Sequence, residues 1–263
     1  MNDWRSLLED GYLSSLWLLE NEGPVDFHGA FIPAVAEGII RRWCPEGGWI
    51  WDPMAGSGTT AGEAQKWGRK AFLTDLSPID WWIGEADART VYIDTAQSVG
   101  LVPRLKAQID DSPHTARFKF DTIVLHPPYH NIIEFSEKPE DLSNCASVAE
   151  FLMEWRQVVH NTAAHLKDGG YLVIVCGDIW ITHEIAKETG EPYGHYPLAH
   201  TCLFEAFRVL SPGRAPRIKA IATKDIKNNQ ARAKQRNLWA SRYTDWGAVF
   251  FETETIAAIQ LGA

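Results

Sequence analysis

Two short stretches of this chain combine residues whose types and spacing could do chemistry. The first is Asp52-Pro53-Met54-Ala55-Gly56-Ser57-Gly58-Thr59-Thr60. It follows an apolar run, WIWD at 49–52, and precedes a stretch that reads as a helix. Glycines at such a place let the backbone turn tightly and let a ligand approach the main chain. The helix that follows offers unsatisfied amides at its start. Three cofactor classes use a turn of this kind. A phosphate-binding loop needs GxxxxGK[ST], and no lysine follows here, so that class is excluded. A dinucleotide turn, GxGxxG, is approached by Gly56, Gly58 and Ala61, which keeps a nicotinamide cofactor open. The third class is S-adenosylmethionine. Its ammonium group wants a carboxylate, which Asp52 would supply. Its ribose diol wants an acid at the end of the next strand, where KAFLTD (70–75) places Asp75.

The second stretch is His126-Pro127-Pro128-Tyr129, directly after the apolar run FDTIVL at 120–125. Two consecutive prolines stiffen the backbone into an extended turn. Tyr129 is thereby presented at the carboxyl end of a strand, where α/β sheets bind ligands. A neutral imidazole nitrogen accepts a hydrogen bond and an imidazolium does not, so His126 loses acceptor capacity as it protonates. An ordinary imidazole makes that loss visible between pH 5.5 and 8.5. His28, His126, His130 and His195 have no metal-ligand spacing, and the four cysteines form no CxxC pair. No metal and no disulfide frame are expected.

Together, DPMAGSGTT and HPPY resemble the amino-methyltransferases, the DNA methyltransferases that act on cytosine N4 or adenine N6. The family's usual forms are DPFxGSGTT and (D/S)PPY. HGAFIPAVAEGII (28–40) is similar to the family motif at the cofactor's methionine end, and IGEADART (83–90) to the acidic motif near its adenine. The resemblance covers roughly residues 26 to 210. It implies that Phe31, Pro33, Asp52, Pro53, Ala55, Gly56, Gly58, Thr59, Thr60, Asp75 and Asp87 bind S-adenosylmethionine, which leaves as S-adenosylhomocysteine. It implies that His126 and the Pro127 carbonyl accept hydrogens from the target amine, and that Pro128 and Tyr129 complete the loop, with Tyr129 stacked on a flipped-out base. The chain departs from the pattern at position 126, where the family has Asp, Ser or Asn. That departure leaves cytosine versus adenine undecided.

These motifs need elements to hold them. Strand, glycine turn, helix and second strand in succession form a β–α–β unit, the mark of a parallel sheet. Apolar periodicity predicts helices at 3–20, 32–43, 148–166 and 197–209, with a weaker one at 95–111. Strands are expected near 81–86 and at 171–178, and as a hairpin pair at 217–224 and 248–261. The expected fold is α/β: one Rossmann-like class I methyltransferase domain over 1–263. Its mostly parallel seven-stranded sheet carries helices on both faces and a C-terminal antiparallel hairpin. Residues 1–25 form a helical extension and 225–246 a basic insert. Asp178 reads as a turn cap or pocket residue, and His195 and Tyr196 as loop packing or pocket lining.

The chain has 263 residues and a net charge of −9, which alone argues against nucleic acid. From Gly213 to Arg242, however, there are nine Lys/Arg and one acid, Asp225. Lys227, Arg232, Lys234 and Arg236, mixed with Asn228, Asn229, Trp239 and Tyr243, suit phosphate and base contact together. The polar loop 131–147 is a second candidate grip. DNA is thus the expected partner, with RNA as the rival. In the RNA alternative the chain methylates a guanine amine; in another it is a non-catalytic, cofactor-binding partner subunit. No large recognition domain is evident, which leaves a homodimer open, with helix 3–20 as one candidate interface. No apolar run reaches 18 residues and the N-terminus lacks a basic, then apolar, leader, so the expectation is a cytoplasmic protein without a membrane partner.

Overall fold

The computed structural model describes residues 4–20, 32–91, 93, 118–130, 133–227 and 253–262. In chain order its elements are α1 (Trp4–Glu9), β1 (Leu16–Glu20), α2 (Pro33–Trp43), β2 (Trp49–Asp52), α3 (Thr59–Lys66), β3 (Lys70–Asp75), β4 (Gly84–Glu85) and β5 (Phe120–Leu125). They continue with α4 (Val148–Ala163), β6 (Leu166–Gly177), β7 (Ile179–Ile181), α5 (His183–Thr189), β8 (Gly194–Tyr196), α6 (Leu198–Arg214), β9 (Arg217–Lys227) and β10 (Thr253–Gln260).

Eight strands make one sheet in the order β1-β9-β10-β6-β5-β2-β3-β4. β10 is antiparallel to both neighbours, and every other pairing is parallel. The strands alternate strictly between two cores. Trp51, Ile123, Leu125, Leu172, Ile174, Cys176, Ala257 and Ile259 pack toward α4 and α6. Ile50, Val124, Val173, Val175, Ile256 and Ala258 pack toward α2 and the buried Ala64 of α3. Burial on both faces is why these strands read as continuous apolar runs. The result is the α/β architecture expected from the sequence, a mostly parallel sheet with helices on both faces and an antiparallel C-terminal pair.

Two expectations change. The sheet has eight strands, not seven, because residues 3–20 are not one helix. α1 ends at Glu9 and Gly11 takes φ +78°, which only glycine adopts freely. The chain then enters β1, parallel to β9. Trp17 and Leu19 are buried while Leu16 and Leu18 are 47% and 56% exposed, a period of two that the leucine-rich sequence masks. Trp17 anchors the strand by stacking on Trp43 of α2 with centroids 6.0 Å apart. The candidate dimer helix is therefore absent as a single element. The weak strand near 81–86 is the two-residue β4, and the helix expected at 95–111 lies outside the described residues.

Candidate active site

β2 and β5 are adjacent and parallel, with Ile50 opposite Thr122 and Trp51 opposite Ile123. Their carboxyl ends therefore deliver the glycine turn and the HPPY loop side by side. The same logic places β3, and Asp75 at its end, on the other flank of the turn.

The turn is braced from within. Asp52 is 2% exposed, and its Oδ1 accepts from the Met54 amide (3.1 Å) while Oδ2 accepts from the Thr60 hydroxyl (2.6 Å). Burial lifts its carboxyl from 3.8 to about 6, against the lowering effect of those two donors. Gly56 and Gly58 take φ +50° and +82°, both left-handed. A Cβ on Gly58 would come within 2.1 Å of the Trp82 ring, so glycine is required there twice over. Asp75 ties the turn to β3: Oδ2 accepts from the Gly56 amide and Oδ1 from the Ser77 amide, each at 2.9 Å. The Ala55 amide donates to the Thr74 carbonyl at 3.1 Å.

In the second loop His126 Nε2 and the Tyr129 hydroxyl are 3.1 Å apart. Tyr129 packs against the β6 end, where a Cβ on Gly177 would lie 2.8 Å from the ring. Burial holds the His126 pKa down to about 4; Glu254 opposes that shift and Lys224 adds to it. The acid limb expected between pH 5.5 and 8.5 therefore moves lower, and a flat profile across that window no longer argues against His126.

Sequence reasoning missed Lys224 and Glu254. They are cross-strand partners on β9 and β10 and form an ion pair, with side chains 3% and 13% exposed. The signal was a charge in phase with the buried Ala222 on β9 and with the buried Ile256 and Ala258 on β10. Asp178, just beyond Gly177, accepts from the Ala199 amide (3.1 Å) and pairs with His195 Nε2 (3.0 Å). It thus caps α6 and holds His195 at the rim.

Other expected site residues fall elsewhere. Asp87 is engaged by Arg89, whose Nε lies 3.0 Å from both its oxygens and whose Nη1 reaches Glu154 on α4. Pro33 opens α2 at its first turn. Pro53, Ala55, Thr59 and Thr60 line the turn and the start of α3, and Pro127 and Pro128 lie between His126 and Tyr129. In the loop 131–147, Lys138 donates to the Leu76 carbonyl at 2.6 Å and pairs with Glu85, which spends its charge on the protein itself. Phe31, Arg232, Lys234, Arg236 and the side chain of Lys227 lie outside the described residues, as does most of the basic insert. Among the described residues, no group of three or more His, Cys, Asp or Glu is placed to hold a metal ion. No described helix is long and apolar enough to cross a membrane.

Residues 13–98 match the DNA methylase family. The match, to the family's N6 and N4 methylase model, spans the glycine turn and Asp75 and stops short of HPPY. It agrees with the resemblance read from the motifs. A search of curated proteins found no match. Among solved structures, the fold is similar to the 1,6-didemethyltoxoflavin-N1-methyltransferase of Burkholderia thailandensis, at 11% identity and TM-score 0.48, covering 99% of this chain and 86% of that one. It is similar to a TehB-like SAM-dependent methyltransferase of Corynebacterium glutamicum, at 16% identity and TM-score 0.42, covering 98% and 94%. It is also similar to TrmN of Thermus thermophilus, at 14% identity and TM-score 0.41, covering 89% of this chain and 50% of that one, so the chain spans half of TrmN's length.

Proposed function

We propose that the chain transfers a methyl group from S-adenosylmethionine to the exocyclic amino group of cytosine or adenine in DNA. The observation that carries this reading is the adjacency of β2 and β5, which sets the cofactor turn beside HPPY. The turn fits the cofactor chemically. The Asp75 carboxylate stands at the β3 end where a ribose diol would need acceptors, and Asp52 offers negative charge at the end of β2. Bound there, S-adenosylmethionine supplies an electrophilic methyl group on its sulfonium. The residues that would hold it are Asp52, Gly56, Gly58 and Asp75, with Pro33, Pro53, Ala55, Thr59 and Thr60 as the adjoining wall. Phe31 and Asp87 are family-implied contacts, and Asp87 would have to share its carboxylate with Arg89.

The protein's work is on the acceptor. An exocyclic amine is a weak nucleophile because its lone pair is delocalised into the ring. Two hydrogen bonds accepted from the amine localise that pair. The Pro127 carbonyl accepts one. His126 accepts the other in this reading, which requires the tautomer whose Nε2–H donates to the Tyr129 hydroxyl 3.1 Å away and leaves Nδ1 as the acceptor. A pKa of about 4 makes His126 an orienting acceptor, too weak a base to retain the proton released at neutral pH. Tyr129 stacks on the base, offsetting part of the cost of leaving the duplex. Positioning for in-line transfer supplies the rest. Lys227, Arg232, Lys234 and Arg236 grip the phosphates in this reading.

Two pH effects follow. The neutral His126 is the competent form, so with S-adenosylmethionine saturating, turnover stays level from pH 8.5 down to about 5 and falls as pH nears 4. An activity loss centred near pH 6.5 would assign the limb to another group. Asp52 must be ionised to attract the cofactor's ammonium, and its pKa of about 6 sits inside the working range. S-adenosylhomocysteine affinity by calorimetry should therefore be about tenfold weaker at pH 5 than at pH 7.5, since one pKa unit is tenfold. Equal affinities at the two pH values would remove Asp52 from the cofactor site.

The reaction itself is tested by transferring labelled methyl to duplex DNA, single-stranded DNA and bulk RNA in parallel, with nucleoside mass spectrometry. N4-methylcytosine or N6-methyladenine in DNA establishes the reading. Label in RNA alone replaces DNA with RNA as substrate. Cofactor binding without label in any acid points to a non-catalytic subunit.

A further inference from the structure

The residue after Tyr129 has an uncommon backbone. His130 takes φ +51°, and among the described residues only Ala215 is another non-glycine with positive φ. A side chain is strained in this region, so the conformation persists only where the surroundings impose it. The imposing contact is visible. The His130 residue is 1% exposed, and its ring stands edge-on to Phe151 of α4, centroids 6.1 Å apart at 87°. Its Nε2 is buried with no hydrogen-bond partner among the described residues.

An unpaired buried nitrogen is a cost that an apolar ring would avoid. A phenylalanine, however, resists left-handed backbone, whereas histidine is one of the few residues enriched there. Position 130 thus carries a side chain that gives the core a ring and still accepts the turn. The consequence falls on its neighbour. Pro127 and Pro128 fix the entry to the loop, so the direction of Tyr129 is set by the exit at 130. The left-handed exit lays the Tyr129 ring against Gly177 and its hydroxyl on His126.

We propose that His130 is a positioning residue for the acceptor loop: its ring, keyed against Phe151, holds the turn that aims Tyr129. Its effect on turnover rests on the methyltransferase reading; its effect on the His126–Tyr129 bond does not. The test is His130→Asn, which tolerates the left-handed backbone but has no ring. Val159→Ala, a cavity in the same core from fully buried Val159 on α4, controls for lost stability. In His130→Asn the imidazole nitrogen NMR signals of His126 should move toward those of Tyr129→Phe. Turnover number should fall about ten- to a hundredfold, the range for a displacement near 1 Å, with S-adenosylhomocysteine affinity unchanged. Val159→Ala should leave both readouts in place. Wild-type His126 signals in His130→Asn would overturn the inference. Signals that move in a protein whose wild type methylates no nucleic acid would keep the positioning role and sink the reaction.

Discussion

Tyr129→Ala should lower methyl transfer about 5- to 150-fold, the equivalent of the 1–3 kcal/mol that base–aromatic stacking contributes. S-adenosylhomocysteine affinity should not change, because the cofactor turn is braced by Asp52, Thr60 and Asp75 and takes nothing from Tyr129. Tyr129→Phe separates the ring from its hydroxyl. It keeps the stacking surface and the packing on Gly177 but loses the 3.1 Å contact to His126. One neutral hydrogen bond is worth about 0.5–1.5 kcal/mol, so the phenylalanine variant should lose only about two- to tenfold. Steady-state kinetics of the two variants decide the matter. If phenylalanine is as damaging as alanine, the hydroxyl carries the effect and the stacking role is wrong. If neither is damaging, HPPY is not the acceptor loop.

Much of this arrangement was legible in the residues because it is local. The acid, the glycines and the helix start lie within nine positions, and the pair of prolines announces its own turn. The chain's alternation of apolar runs and amphipathic stretches gave the parallel sheet, since strands buried on both faces have no polar side to hide. What was not legible depends on partners far away in sequence. Leu16–Glu20 is a strand because β9, about two hundred residues later, pairs with it, and a leucine-rich segment carries no period that reveals this. The low pKa of His126 comes from burial, with Lys224 on a distant strand adding to it and Glu254 opposing it, so the type of residue alone suggested a higher acid limb. Asp87, matched by motif, is held by Arg89 two residues on, a contact that a motif cannot express.

The Lys224–Glu254 ion pair should give the largest stability effect of a single side chain. Lys224 lies between β1 and β10, opposite Trp17 on one side and Glu254 on the other. Taking two charges out of water costs several kcal/mol each, and their attraction returns it only while both are present. Lys224→Met therefore removes the ion-pair partner of a largely buried carboxylate, and should destabilise the fold by about 3–5 kcal/mol. For a domain of this size that lowers the melting temperature by about 6–20 °C. Lys224→Met combined with Glu254→Met removes both charges, and should recover most of that loss because methionine fills the same space without desolvation. The pair also biases the site: losing Lys224 alone removes a group that lowers the His126 pKa and keeps Glu254, which raises it. In the single variant the acid limb of activity should move upward, and in the double variant it should move back. Thermal melts of both variants measure the first effect and pH–rate profiles the second. A double variant as unstable as the single would mean that lost packing, not the broken ion pair, accounts for the damage, and an acid limb that stays put in both variants would remove Lys224 from the electrostatics of His126.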